Sequence, residues 1–80
     1  MNVKIVIVGS TGKLGTKLLN YTNKHSIPIY GITCYRNYIK LNNQKNKYKI
    51  NKSFILNNSI DRNKFLKLLQ EKINILYFLD

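Results

Sequence analysis

From Val3 to Val8 every position except Lys4 is apolar, and the run then drops into Gly9-Ser10-Thr11-Gly12. A near-continuous apolar run of this length reads as a strand buried on both faces of a parallel sheet. The period then lengthens. Between Lys13 and Lys24, Leu14, Leu18 and Thr22 stand four apart and Leu19 widens the stripe, while the lysines fall on the other side. That spacing predicts an amphipathic helix. Ser26-Ile27-Pro28 ends it, because proline cannot continue a helix and restrains the residue before it. A second strand is expected over Ile29–Thr33, with Gly31 inside it as a point of close backbone approach. A short helix follows over Tyr38–Lys45, then a third strand over Ser53–Leu56. A helix over Asp61–Lys72 carries Phe65, Leu66, Leu68, Leu69 and Ile73 on one face, with Ser59 or Asp61 as its cap. Ile75–Leu79 is a closing strand, apolar on both faces.

Strands alternating with helices, without an internal repeat, indicate an α/β protein with a parallel sheet. The order βαβαβαβ is the N-terminal half of a Rossmann-like doubly wound sheet, one domain over residues 1–80. A bare apolar strand at the end of the chain leaves an edge that native proteins cover. The expectation is therefore a truncated unit, the N-terminal piece of something longer.

Composition narrows the class. Eighty residues make at most one small domain, with a modest core. A single cysteine, Cys34, excludes an internal disulfide framework and suits a reducing compartment, so a cytoplasmic location is expected. No apolar stretch reaches the roughly 18 residues of a membrane span, and the N-terminus does not read as a targeting segment. Fourteen Lys and Arg against three acids give a formal charge of +11. The lysines are spread along every element. Their densest group, Lys45, Lys47, Lys49 and Lys52, reads as a solvated loop and helix end. This charge favours a phosphorylated ligand and does not argue for a specific nucleic-acid partner.

The chemistry lies in the turn. Gly9, Gly12 and Gly15 recur at three-residue spacing where the strand pattern stops and the helix pattern starts. The first glycine makes a tight turn, the second lets backbone approach a pyrophosphate, and the third lets helix and strand pack closely. The helix N-terminus adds free N–H groups and a favourable dipole. The spacing differs from the usual Gly-x-Gly-x-x-Gly fingerprint, which points to a variant subclass. Leu14 after Gly12-Lys13 excludes a phosphate loop of the nucleotide-triphosphatase type. At the end of the second strand, where an NAD-binding unit carries an acid for the ribose 2′-hydroxyl, stands Thr33-Cys34-Tyr35-Arg36-Asn37. No acid precedes Asp61. A guanidinium there suits a 2′-phosphate, Asn37 can donate to it, and Tyr35 or Tyr38 can lie against adenine. NADP(H) is favoured over NAD(H). Cys34 reads as small apolar packing, and Asp61, Glu71 and Asp80 are too scattered for a metal site or a carboxylate pair. No catalytic residue can be named.

Gly9-Ser10-Thr11-Gly12-Lys13-Leu14-Gly15 resembles the Gly-Ser-Thr-Gly-Ser-Ile-Gly turn of the 1-deoxy-D-xylulose 5-phosphate reductoisomerases. Arg36-Asn37 stands in that family's Lys-Asn place, and Gln44 falls seven residues beyond Asn37, with Leu41 between them. The resemblance spans essentially the whole chain, as the N-terminal part of the cofactor domain. It implies an NADPH-dependent oxidoreductase that makes 2-C-methyl-D-erythritol 4-phosphate for isoprenoid synthesis. It also implies a divalent cation, Mg²⁺ or Mn²⁺, acting as Lewis acid, with ligands outside this chain, a phosphorylated small-molecule substrate and a homodimer. The cofactor-binding residues it implies are Gly9, Ser10, Thr11, Gly12, Lys13 and Leu14 at the pyrophosphate, and Arg36 and Asn37 at the 2′-phosphate. Lys13 for serine, Arg36 for lysine and Tyr35 for a small residue mark a divergent member. The 80 residues alone are expected to be inactive.

Two other readings use the same turn. A short-chain dehydrogenase/reductase-like protein would place an acid near the end of the third strand, where only Asp61 is available. A basic nucleotide- or RNA-binding module would show steep salt dependence and no preference for NADPH.

Overall fold

A computed structural model of the chain describes residues 3–70 and 74–79. The elements are β1 (Val3–Val8), α1 (Lys13–Lys24), β2 (Gly31–Cys34), α2 (Tyr38–Tyr48), β3 (Lys52–Ile55), α3 (Ser59–Gln70) and β4 (Asn74–Leu79). They form one parallel sheet in the order β3-β2-β1-β4. The chain winds outward from β1 through β2 to β3, then returns to the other side of β1. That reversal is the topological switch point of a doubly wound sheet, so the expected Rossmann-like half-fold is present. Ligands bind such folds beyond the carboxyl ends of the strands at the switch point. Of the residues singled out above, Glu71, Lys72, Ile73 and Asp80 lie outside the described ones.

Strand β1 is apolar at every position but Lys4 because both its faces are covered. Ile7 packs with Leu19, Ile32, Cys34, Leu41 and Ile50, on the side of α1 and α2. Val6 packs with Phe54, Phe65 and Leu68, on the side of α3. The Phe54 and Phe65 rings meet at 5.5 Å with a 46° tilt, within the range favoured for aromatic pairs.

Bounds of β1 and α1 agree with the sequence reading, as does the burial of Leu19 and Thr22 with Leu18 packed against the same core, but Leu14 departs from that face. The buried face consists of Gly15, Leu19 and Thr22, while Leu14 is 59% exposed. Gly15 must face the preceding turn, and this rotates Leu14 off the sheet. Helix α3 behaves similarly: Phe65 and Leu68 are buried, while Leu66 and Leu69 remain 47% and 37% exposed. Its cap is Asn58, whose Oδ1 accepts the N–H groups of Ile60 and Asp61 at 2.9 and 3.0 Å. Neither Ser59 nor Asp61 serves as the cap.

The ends of α1 and α2 are set by left-handed residues. After α1, Ser26 has φ 55°, Ser26 N–H donates to Asn23 O, and Ile27 N–H donates to Thr22 O. This is the Schellman pattern, so the helix has stopped before Pro28 is reached. Helix α2 runs past Lys45 to Tyr48 and closes on Lys49 at φ 53°, with Ile50 N–H on Lys45 O. Strand β2 starts at Gly31, later than the expected Ile29, although Tyr30 N–H already bonds to Ile5 O.

The rotated face of α1 has a direct consequence for stability. Leu19→Ala should cost about 2–5 kcal/mol, whereas Leu14→Ala should change stability by less than about 0.5 kcal/mol. Urea unfolding of the two variants measures both.

Candidate functional site

Because the strands are parallel, the loops after β1, β2 and β3 share one edge of the sheet. The loop after β1 is the glycine turn. Gly9 takes φ 85°, a left-handed conformation that favours glycine, and Gly12 N–H returns to Gly9 O at 3.1 Å. Gly12 is then the N-cap of α1 and has no side-chain cap. The N–H groups of Lys13 and Leu14 have no carbonyl four residues earlier in the helix, and no N-cap side chain takes its place. They form the positive end of the α1 dipole, and no acid lies in the first turn to compensate it.

Gly15 explains how the helix comes so close. A Cβ on Gly15 would lie 2.2 Å from Gly9 O and 2.8 Å from Ser10 Cα. Only a hydrogen fits there, and both contacts are backbone, so neither can swing aside. Thr16 on the next turn fastens the same segment: its Oγ1 lies 2.6 Å from Gly12 O and 3.2 Å from Ser10 O.

Ser10 is turned inward. It is fully buried, its N–H donates to Thr33 O at 2.9 Å, and its Oγ donates to Gln44 Oε1 at 2.8 Å. Gln44 Nε2 donates back to Ser10 O, also at 2.8 Å. Every polar atom of Ser10 is therefore used within the fold, and the residue offers no donor to a ligand. Gly9 N–H is likewise committed, to Thr33 O and Thr33 Oγ1 at 3.1 Å each. These bonds lock the turn to the end of β2 and to the buried face of α2. Gln44 was visible in the sequence as a spacing from Asn37, but its partner Ser10 was not.

The second loop carries the basic end of the site. Tyr35, Arg36, Asn37 and Tyr38 are all exposed, and the Arg36 guanidinium lies 5.3 Å from the Tyr35 ring centroid. Asn37 caps α2, with its Oδ1 accepting Lys40 N–H at 3.4 Å. Lys40, which sequence reasoning passed over, reaches back from α2 and donates its Nζ to Thr11 O at 2.9 Å. Among the described residues Asp61 is the only acid. Its Oδ2 accepts Ile55 N–H at 2.9 Å, so it is tied to the end of β3.

Cys34 is fully buried in the core between β2 and the helices. Burial pushes its thiol pKa up, a backbone hydrogen bond at Asn37 opposes this, and the charge of Asp61 adds to the rise. It stays a protonated packing residue near neutral pH and is no nucleophile. His25 stands exposed against Tyr21, away from the turn. No group of three His, Cys, Asp or Glu side chains able to hold a metal comes together among the described residues. Nor is any helix there long and apolar enough to cross a membrane. A cavity of about 230 Å³, lined by Leu19, Ile27, Ile29, Tyr48 and Ile50 among others, opens at the opposite ends of the strands.

The site thus combines uncapped N–H groups at a helix N-terminus, a turn that admits backbone only, and a basic strand end whose own residues include no acid. That combination fits a dinucleotide with an additional phosphate. A family model described as 1-deoxy-D-xylulose 5-phosphate reductoisomerase matches residues 5–78. A search of curated proteins found no match.

Two glycine substitutions separate close approach from mere flexibility. Gly15→Ala should destabilise the chain by about 3 kcal/mol or more, beyond the usual cost of overpacking, since backbone must move. Gly31→Ala, whose Cβ would sit 3.5 Å from Lys52, should stay within about 1 kcal/mol of the parent. Thermal or urea unfolding reads both.

Proposed function

The chain belongs to the 1-deoxy-D-xylulose 5-phosphate reductoisomerase family, and on that premise we propose that residues 1–80 are an NADP(H)-binding unit gripping NADPH at the glycine turn and the Arg36–Asn37 end of β2. The observation that carries this reading is the uncapped α1 N-terminus at the switch point, beside a strand end with a guanidinium and no acid. In this reading the Lys13 and Leu14 N–H groups, with the Lys13 ammonium, hold the pyrophosphate. Gly12 and Thr11 supply the backbone surface it lies on. Arg36 and the Asn37 amide hold the 2′-phosphate, for which a planar, permanently charged fork is suited. Tyr35 and Tyr38 flank the adenine. Gly9 and Ser10 shape the turn and make no ligand contact of their own.

Bound NADPH supplies the hydride that the family's reaction delivers to a carbonyl carbon. This chain's own contribution is to bind and orient the cofactor. We assign the ligands of Mg²⁺ or Mn²⁺ and the acid–base groups to no residue of this chain, and propose that the 80 residues alone give no turnover. A phosphorylated substrate and a homodimeric enzyme, both following from the family, and a cytoplasmic setting, following from the single cysteine, complete the reading.

Titration of NADPH and NADH, followed by the nicotinamide fluorescence, tests it. The chain should bind NADPH at least about tenfold tighter than NADH, and Arg36→Ala should remove most of that preference, the weight of one charge-assisted contact. Equal affinities in the parent chain would contradict the proposal.

A further inference from the structure

We propose that Lys40 is a second cation of the 2′-phosphate site and shares with Arg36 in the preference for NADP(H) over NAD(H), an inference that rests on the cofactor reading above. Lys40 sits in the first turn of α2, between exposed Ile39 and buried Leu41. It is half-buried, and its Nζ lies 2.9 Å from Thr11 O in the glycine turn. The helix that carries it starts at Tyr38, directly after Arg36-Asn37. Lys40 therefore spans the gap between the glycine turn and the end of β2. In dinucleotide-binding folds that gap receives the adenosine ribose and its 2′ substituent.

A purely structural role leaves this side chain poorly explained. The turn is already fastened to α2 by the two-way bond between Ser10 and Gln44. An ammonium has three donors, and Thr11 O is its one hydrogen-bonded acceptor among the described residues. No ion pair among these residues neutralises it: its partner is a backbone carbonyl, and Asp61, the sole acid among the described residues, instead accepts Ile55 N–H. A partly buried cation facing a carbonyl, with donors to spare and no counter-ion, is complementary to a dianionic phosphate monoester. NADH offers a neutral hydroxyl at the same place, from which an ammonium gains far less.

The test compares the parent chain with Lys40→Gln and Lys40→Met. Each is titrated with NADPH and NADH, and the ³¹P resonance of the bound 2′-phosphate is followed against pH. Both variants should lose about tenfold or more in NADPH affinity while NADH affinity stays within about threefold, since only the charge-assisted contact is removed. The apparent pKa of the bound 2′-phosphate should rise, because a neighbouring cation favours the dianion. Lys40→Gln keeps an amide donor near Thr11 O, so it tests the charge even where Lys40→Met disturbs the turn. Equal losses for both cofactors with an unchanged ³¹P titration would overturn the proposal and make Lys40 a tie of the fold only. Unchanged NADPH affinity in the variants would overturn it too. A parent chain without preference for NADPH would instead overturn the underlying cofactor reading, an outcome seen before any variant is made.

Discussion

The structure depends on one close approach, that of Gly15 to the backbone of Gly9 and Ser10. It lets α1 begin immediately against the carboxyl end of β1. An alanine there would hold the helix away and turn its N-terminus off the switch point. Everything that makes the edge a site follows from this contact. Gly12 can cap without a side chain, Lys13 and Leu14 stand exposed in the first turn of α1, and Ser10 is driven into the core. Thr16, Thr33 and Gln44 then fix the turn from three sides.

The two-faced sheet sets the frame for that contact. Ile7 looks to α1 and α2 and Val6 to α3, so β1 is anchored from both sides. Its carboxyl end inherits that rigidity. A preorganised turn loses less freedom when it orders around a ligand than a mobile one would. The basic end of the site is less constrained. Arg36 and its neighbours are exposed on a loop, anchored at the α2 cap by Asn37 and at the loop after β3 by Asn57 N–H on Tyr35 O.

Much of this was legible in the sequence where one signal dominated. The run Val3–Val8 could only be a doubly buried strand, and the glycine spacing placed the turn and the start of α1. Arg36 and the lack of an acid before Asp61 were likewise plain. What escaped depended on contacts between distant residues. The 3.6-residue period favoured Leu14 for the core, but the demand of Gly15 rotated the helix. The end of α2 was hidden because Lys49, a residue with no left-handed preference, occupies the position where glycine usually signals a stop. Ser10 reads as a ligand contact in any glycine-rich turn. Only Gln44, 34 positions later, reveals that its hydroxyl is spent inside. Lys40 was one lysine among many until its bond to Thr11 O set it apart.

On the proposed function, the α1 N-terminus and the β2 end together form one cofactor site. The most direct measurement is an ¹H–¹⁵N NMR titration of the labelled chain with NADPH. The backbone resonances of Gly12, Lys13, Leu14, Arg36 and Asn37 should move together along one saturating curve. Those of Thr22, Ile27 and Ile50, which line the cavity at the opposite ends of the strands, should stay still. Shifts confined to that far cavity, or scattered over the lysine-rich surface and abolished by salt, would contradict it.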